Sequence, residues 1–236
     1  MKKFFVVLSA AVAAWSLNAA IPAPSLDIQC TGGNFSAIKD VSANKCKVSV
    51  ASKEKLAWAE ENGEKILSFS GENKQPRGVL VVAPPPKFEI NKGFTLYFRI
   101  KTAADHNQKV RNQLFQYGYG ADKISGFCCF LFWHSFHVRY GSDAKTTVAT
   151  PSKAKLIKPG TWYDVVMVYD GKTIALYLNG KLAAKPAAAA IPEIKRTMFT
   201  IGATANRGGG YAFQGLLKNV KLYEKAFTAE EVAQIK

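Results

Sequence analysis

The clearest periodic signal lies in the last third of the chain, where strand-like apolar runs are separated by tight-turn dipeptides. Trp162-Tyr163-Asp164-Val165-Val166-Met167-Val168-Tyr169 runs into Asp170-Gly171, and Thr173-Ile174-Ala175-Leu176-Tyr177-Leu178 runs into Asn179-Gly180. Asp-Gly and Asn-Gly supply the positive φ that a two-residue hairpin needs, so the pattern predicts three consecutive antiparallel strands. Upstream, Phe94-Thr95-Leu96-Tyr97-Phe98-Arg99-Ile100 alternates and predicts a central strand. Shorter runs predict a first hairpin from 26–30 and 47–51, and a second pair from 66–70 and 79–82. Residues 71–76 are expected to form a loop. Further strands are expected at 112–117, 126–140, 198–201 and 213–223. Only the C-terminus reads as helix: Thr228 and Glu231 form a Thr-x-x-Glu capping box, with Val232 and Ile235 on its apolar side. The alanine-rich stretch 183–190, with Pro186 and Pro192 flanking its alanines, is expected to be a loop.

Many short strands with Gly- and Pro-rich turns predict an all-β, two-sheet antiparallel β-sandwich with a short C-terminal helix. Residues 1–19 form a separate unit. Lys2 and Lys3 precede an apolar core from Phe4 to Trp15 that is too short to span a bilayer, and small residues follow. Cleavage is expected after Ala19, leaving 20–236 as one exported domain with no later membrane span. No oligomeric state can be read from the sequence.

Charge and cysteines sharpen this picture. Lys and Arg total 32 against 17 Asp and Glu, a formal net charge of +15. Such a field attracts anionic polysaccharides, anionic envelopes or nucleic acid. The lysines are dispersed, with no basic helix or aromatic RNA-binding signature, which argues against nucleic acid. Of the 4 cysteines, Cys30 and Cys46 end two candidate strands, and in an exported protein they are expected to bond, worth about 3 kcal/mol. Cys128 and Cys129 are adjacent, point to opposite faces of a strand and are expected to be buried thiols. No Cys-x-x-Cys or partnered His spacing indicates a metal.

From Trp162 to Tyr223 the sequence resembles the laminin-G-like jelly-roll domains of the concanavalin A-like lectin and glucanase superfamily. The matching features are Trp162, Tyr169-Asp170-Gly171, Leu176-Tyr177-Leu178-Asn179-Gly180-Lys181, Ile201-Gly202, Phe213-Gln214-Gly215 and Val220-Lys221-Leu222-Tyr223, followed by the acidic helix. Asp40-Val41-Ser42-Ala43-Asn44, Leu67-Ser68-Phe69-Ser70-Gly71 and Gly93-Phe94-Thr95-Leu96 match less sharply. The resemblance implies a jelly roll, with Trp162 and Tyr177 in its structural core. It also implies a structural calcium in many members. Here Ser70 and Lys218-Asn219 stand where acids often do, which argues against that ion, and no other cofactor is expected. Asp40, Asp170 and backbone carbonyls are the remaining oxygen donors.

The chemistry points to binding. Glycan cleavage usually needs two carboxylates across the scissile bond, which relatives of this fold place as Glu-x-Asp-x-x-Glu, and no such spacing occurs. His134 and His137 would face opposite sides of a regular strand. Read as one alternating strand, 127–140 puts Trp133, His137 and Arg139 on a candidate ligand face, opposite Phe130, Phe132, Phe136 and Tyr140. A second candidate is the loop Asn206-Arg207-Gly208-Gly209-Gly210-Tyr211, where Arg207 would fork onto a sulfate or carboxylate and Tyr211 would stack. Arg111 and Tyr119 flank a loop near the same rim. The sequence therefore predicts a non-catalytic carbohydrate-binding module, with an anionic polysaccharide as one ligand class. It leaves open an adhesion module for an envelope protein, and a hydrolase or lyase with an unrecognised site.

Overall fold

A computed structural model describes residues 20–70, 77–87, 89–119, 124–142, 145–153, 155–194, 199–204 and 211–235. The strands of the first half are β1 (Leu26–Gln29), β2 (Lys39–Asp40), β3 (Val48–Ala51), β4 (Leu56–Glu61), β5 (Glu64–Ser70), β6 (Val79–Val82), β7 (Phe94–Thr102) and β8 (Asn112–Tyr119). Those of the second half are β9 (Ile124–Phe132), β10 (Ser135–Ser142), β11 (Lys145–Ala149), β12 (Trp162–Tyr169), β13 (Thr173–Leu178), β14 (Lys181–Leu182), β15 (Ala187–Ala188), β16 (Phe199–Ile201) and β17 (Gln214–Tyr223). One short helix follows, α1 (Ala229–Val232).

These strands form two antiparallel sheets. The ten-stranded sheet has the main order β14-β13-β12-β7-β17-β1-β2, with β15 pairing β13, and β4 and β5 attached through β17. The seven-stranded sheet has the order β11-β10-β9-β8-β16-β6-β3. Between them lies one large core, in which Phe94, Phe98, Phe115, Phe127, Phe136 and Phe199 are completely buried. Phe94 stacks on Phe127 across the two sheets at 5.0 Å between ring centroids. Such an aromatic pair adds about 1 kcal/mol beyond its buried area.

The predicted central strand is β7, flanked by β12 and β17. Asn179 (φ 49°) and Gly180 (φ 76°) form the expected two-residue turn between Leu178 and Lys181. In the preceding hairpin the turn moves one residue on. Asp170 N–H bonds Thr173 O, so Gly171 and Lys172 are its central pair. The Asp170 carboxylate accepts from Lys172 N, Thr173 N and the Thr173 hydroxyl.

Several expectations are corrected. Residues 26–30 and 47–51 do not form a hairpin: β1 pairs with β17 and β2 in one sheet, while β3 pairs with β6 in the other. Likewise β5 and β6 lie in different sheets. The true partner of β5 is β4, reached through an Asn62-Gly63 turn with both φ positive. Because Cys30 and Cys46 end segments of different sheets, they are not cross-strand neighbours. The structure carries four free thiols in place of the expected bond. Burial, followed by the nearby Asp40 charge, pushes the Cys46 thiol up to about 11. Trp162 is also not in the core. It sits half-buried on the outer face of the ten-stranded sheet, where its indole N–H donates to Glu61 Oε2 at 3.2 Å. Tyr177 packs beside the smaller cluster under α1. The alanine-rich stretch contributes the two-residue β15, and the predicted 71–76 loop lies outside the described residues.

Candidate functional site

The outer face of the seven-stranded sheet gathers most of the candidate residues, and one turn explains how. The run 127–140 is a hairpin, broken at Trp133 and His134. Phe132 pairs with Ser135, Phe130 with His137, and Cys128 with Arg139. Phe127, Cys129 and Leu131 therefore point into the main core with Phe136, Val138 and Tyr140. Cys128, Phe130 and Phe132 form a separate outer cluster. This corrects the one-strand reading, which places Phe130 and Phe132 with Phe136 and Tyr140. It also corrects His134, which lies in the turn rather than on a strand face.

A second hairpin folds over the same face. Ala203 bridges Ala212 and packs with it against Val79. Thr204 N donates to Tyr211 O at 3.0 Å, and Tyr211 N donates to the Thr204 hydroxyl. This carries Tyr211 to Arg111, whose guanidinium carbon lies 4.7 Å from the Tyr211 ring centroid and 3.8 Å from that of Phe130. Phe130 stacks on His137 at 5.3 Å and 14°. His137 meets Phe132 edge to face, and Phe132 meets Trp133 in the same way. The result is one continuous stripe: Tyr211, Arg111, Phe130, His137, Phe132, Trp133.

The polar groups along the stripe are largely fixed. Arg111 Nη2 lies 3.5 Å from both Gln113 Oε1 and Cys128 Sγ, and its buried Nε has no hydrogen-bond partner among the described residues. Both His137 nitrogens are engaged. Phe132 O can only accept, so Nε2–H donates to it at 3.3 Å and Nδ1 accepts from the Thr150 hydroxyl at 2.9 Å. Burial, with the neighbouring Arg111 charge, lowers the His137 pKa despite the Phe132 carbonyl, so the ring is neutral at pH 7. Arg139 Nη2 donates to Thr146 Oγ1 at 3.0 Å. No strand of this sheet contains Asp or Glu. The strand acids all belong to the other sheet, where Asp164 accepts from Arg99 at 2.5 Å and from the Tyr97 hydroxyl at 2.7 Å.

Of the predicted site residues, Arg111, Trp133, His137, Arg139 and Tyr211 are brought to this one face. Asn206 and Arg207 lie outside the described residues. Tyr119 ends β8 opposite Ile124. Sequence reasoning misses Phe130 and Phe132 as site residues, because their face depends on the turn. The Asp40 carboxylate is already occupied, accepting from Asp27 N, Ser42 N, the Ser42 hydroxyl and Cys46 N at 2.8 to 2.9 Å. Among the described residues, no cluster of three His, Cys, Asp or Glu side chains is arranged to hold a metal ion. Hollows lie elsewhere, one lined by Lys87, Glu89, Ile90 and Glu193 and another by Ser68, Thr102, Gly160 and Gln214. Neither includes a residue of the stripe. The stripe offers aromatic faces without acids, and so is the stronger candidate.

Comparison with known proteins agrees with this architecture. The profile of the third laminin-G family, described as the concanavalin A-like lectin/glucanases superfamily, matches residues 77–233. Among solved structures, the binding domain of Paraclostridial Mosquitocidal Protein 1 is similar at 15% identity and a TM-score of 0.63, over 88% of this chain and 51% of that one. The receptor-binding domain of botulinum neurotoxin type G is similar at 13% identity and 0.61, over 90% and 50%. A structure of botulinum neurotoxin type C, whose cell entry is described as dependent on two ganglioside molecules, is similar at 12% and 0.62, over 89% and 50%. At such identities the likeness establishes the fold alone. This chain spans about half the length of each.

Proposed function

The chain belongs to the concanavalin A-like lectin/glucanase superfamily, and from that premise we propose that it is an exported, non-catalytic carbohydrate-binding module. The observation that carries the reading is the stripe from Tyr211 to Phe132. The C–H face of a sugar ring stacks on Tyr211 and Phe132, while Arg139 and Arg111 orient polar groups. Arg111 is clamped between two rings, so little side-chain entropy remains to be lost on binding. An anionic polysaccharide is the favoured ligand class, since the stripe's charged groups are cationic and its strands carry no carboxylate. The naming of similar solved domains as binding or receptor-binding domains also supports a binding role. Export follows from residues 1–19 acting as a cleaved leader, which an intact mass beginning at Ala20 would test.

A catalytic role is disfavoured by the same geometry. His137 has no free nitrogen to act as a base, and among the described residues the face supplies no pair of acids for glycoside hydrolysis. The deciding experiment is titration of acidic and neutral polysaccharides at low and moderate salt, with a reducing-end assay alongside. Binding to acidic chains that weakens with salt, and falls about tenfold in Tyr211→Ala, supports the proposal. Reducing-end release would replace it with a hydrolase or lyase. No binding to any glycan, with capture of one envelope protein, would favour the adhesion reading.

A further inference from the structure

The hairpin tip between β9 and β10, where the stripe ends in Trp133, has features that the glycan reading does not use. Trp133 (φ 50°) and His134 (φ 58°) occupy both central positions of a two-residue turn. Such turns favour Asn and Gly there, because bulky residues are strained at positive φ. The tip is held between two loops. Trp133 N donates to Gln108 O at 2.9 Å, and Ile157 N donates to His134 O at 3.2 Å. Yet Trp133 is 42% exposed, a large apolar surface left in water.

The charge on the two loops is mostly positive. Lys109 follows the residue that clasps Trp133, and Lys153, Lys155 and Lys158 surround the one that clasps His134. All four lysines are exposed, and none forms an ion pair among the described residues. Lys155 itself has positive φ (62°). Asp105 is the one acid in 103–111 and 150–160. An exposed indole at a hairpin tip, clasped by two lysine-bearing loops, matches one surface in both halves: headgroups that are anionic and an interface that accepts amphipathic aromatic rings.

We infer that the Trp133 tip docks the protein onto an anionic phospholipid bilayer, with Trp133 entering the interface and Lys109, Lys153, Lys155 and Lys158 lying on the headgroups. This contact is peripheral, and it does not depend on the glycan reading. Each lysine near an anionic leaflet contributes about a fivefold gain in partitioning.

The test is co-sedimentation of the purified protein with vesicles of phosphatidylcholine alone and with 30 mol% phosphatidylglycerol (roughly the anionic fraction that gives a strong surface potential). Expected are binding to the anionic vesicles only, suppression by salt, and a blue shift of tryptophan emission that Trp133→Phe removes. Replacing the four lysines with glutamine is expected to cost on the order of 600-fold in partitioning. Those sites are exposed, so the variant keeps its melting temperature. Tyr211→Ala, which lowers glycan affinity in the proposed function, leaves vesicle binding as it is. Equal partitioning to neutral and anionic vesicles, or none to either at low salt, overturns the inference. So does a lysine variant that loses acidic-polysaccharide binding while the parent ignores vesicles, which would make the tip part of the glycan site.

Discussion

At the scale of single residues, Asp40 ties down an edge of the fold and Gly202 bears on the candidate face. Asp40 is buried, and its carboxylate receives four donors from Asp27, Ser42 and Cys46. Burial alone would raise its pKa, but the three backbone N–H groups and the Ser42 hydroxyl together hold it below the usual value. A folded pKa below the unfolded one means stability that is present above the unfolded value and is lost as pH falls through the folded one. Asp40→Asn places an amide donor among donors, and is expected to cost about 2 kcal/mol at neutral pH. That cost shrinks as pH falls through the depressed folded pKa, where the parent's carboxyl is itself protonated. Urea midpoints of parent and variant, compared from pH 7 downward, would measure both. Gly202 acts by close approach. Its φ is +87°, and a Cβ there would fall 1.9 Å from a Phe69 ring carbon. Gly202 opens the hairpin that lays Tyr211 over Arg111. Gly202→Ala is expected to lose about 3 kcal/mol, and to weaken glycan binding beyond what the stability loss explains. Unchanged thermal melting would contradict it.

At the scale of elements, the turns decide which side chains share a face. The tip Trp133-His134 is strained, whereas an Asn-Gly pair is what such a turn prefers. The double substitution Trp133→Asn with His134→Gly is therefore expected to raise stability by about 1 kcal/mol, read as a higher denaturant midpoint, while abolishing vesicle docking. A fall in stability would show that the indole is a packing residue. The same turn marks where the sequence stops being legible. Trp162–Tyr169, Thr173–Leu178, the Asn179-Gly180 turn and the Thr228–Glu231 capping box are readable because their dipeptides or spacings have one dominant local meaning. Trp133-His134 carries no Gly, Asn or Asp, so 127–140 reads as one strand, and every outward side chain before the turn falls on the wrong face. Pairing across the two sheets is also hidden. The partners of β1 and β5 include β17, from the far end of the chain, and neither is set by local pattern. Trp162 is misplaced for the opposite reason. Its motif is strong, but burial depends on Glu61 and Arg99, which come from other strands.

At the scale of the molecule, the two sheets divide the work. The seven-stranded sheet presents aromatics and cations outward. The ten-stranded sheet carries the paired charges Arg99–Asp164, Lys101–Glu61 and Lys218–Glu64. These pairs are about a quarter to two-fifths exposed and contribute little net stability each. What closes the ten-stranded sheet is its C-terminal segment. Phe227, Val232 and Ile235 cover Tyr97, Val166, Val168 and Tyr223, and the segment is pinned where Thr95 Oγ1 donates to Lys225 O at 2.7 Å and accepts from Phe227 N at 3.0 Å. Burying three such side chains is worth on the order of 5 kcal/mol, comparable with the whole stability of a typical domain. Ending the chain at Tyr223 is expected to yield protein that binds an apolar dye and unfolds at much lower denaturant, with Phe227→Ala costing about 3 kcal/mol by itself. Because the segment lies on the sheet opposite the stripe, any truncated protein that stays folded keeps its glycan affinity. A truncation that leaves stability unchanged but removes binding would mean instead that the C-terminus belongs to the ligand site.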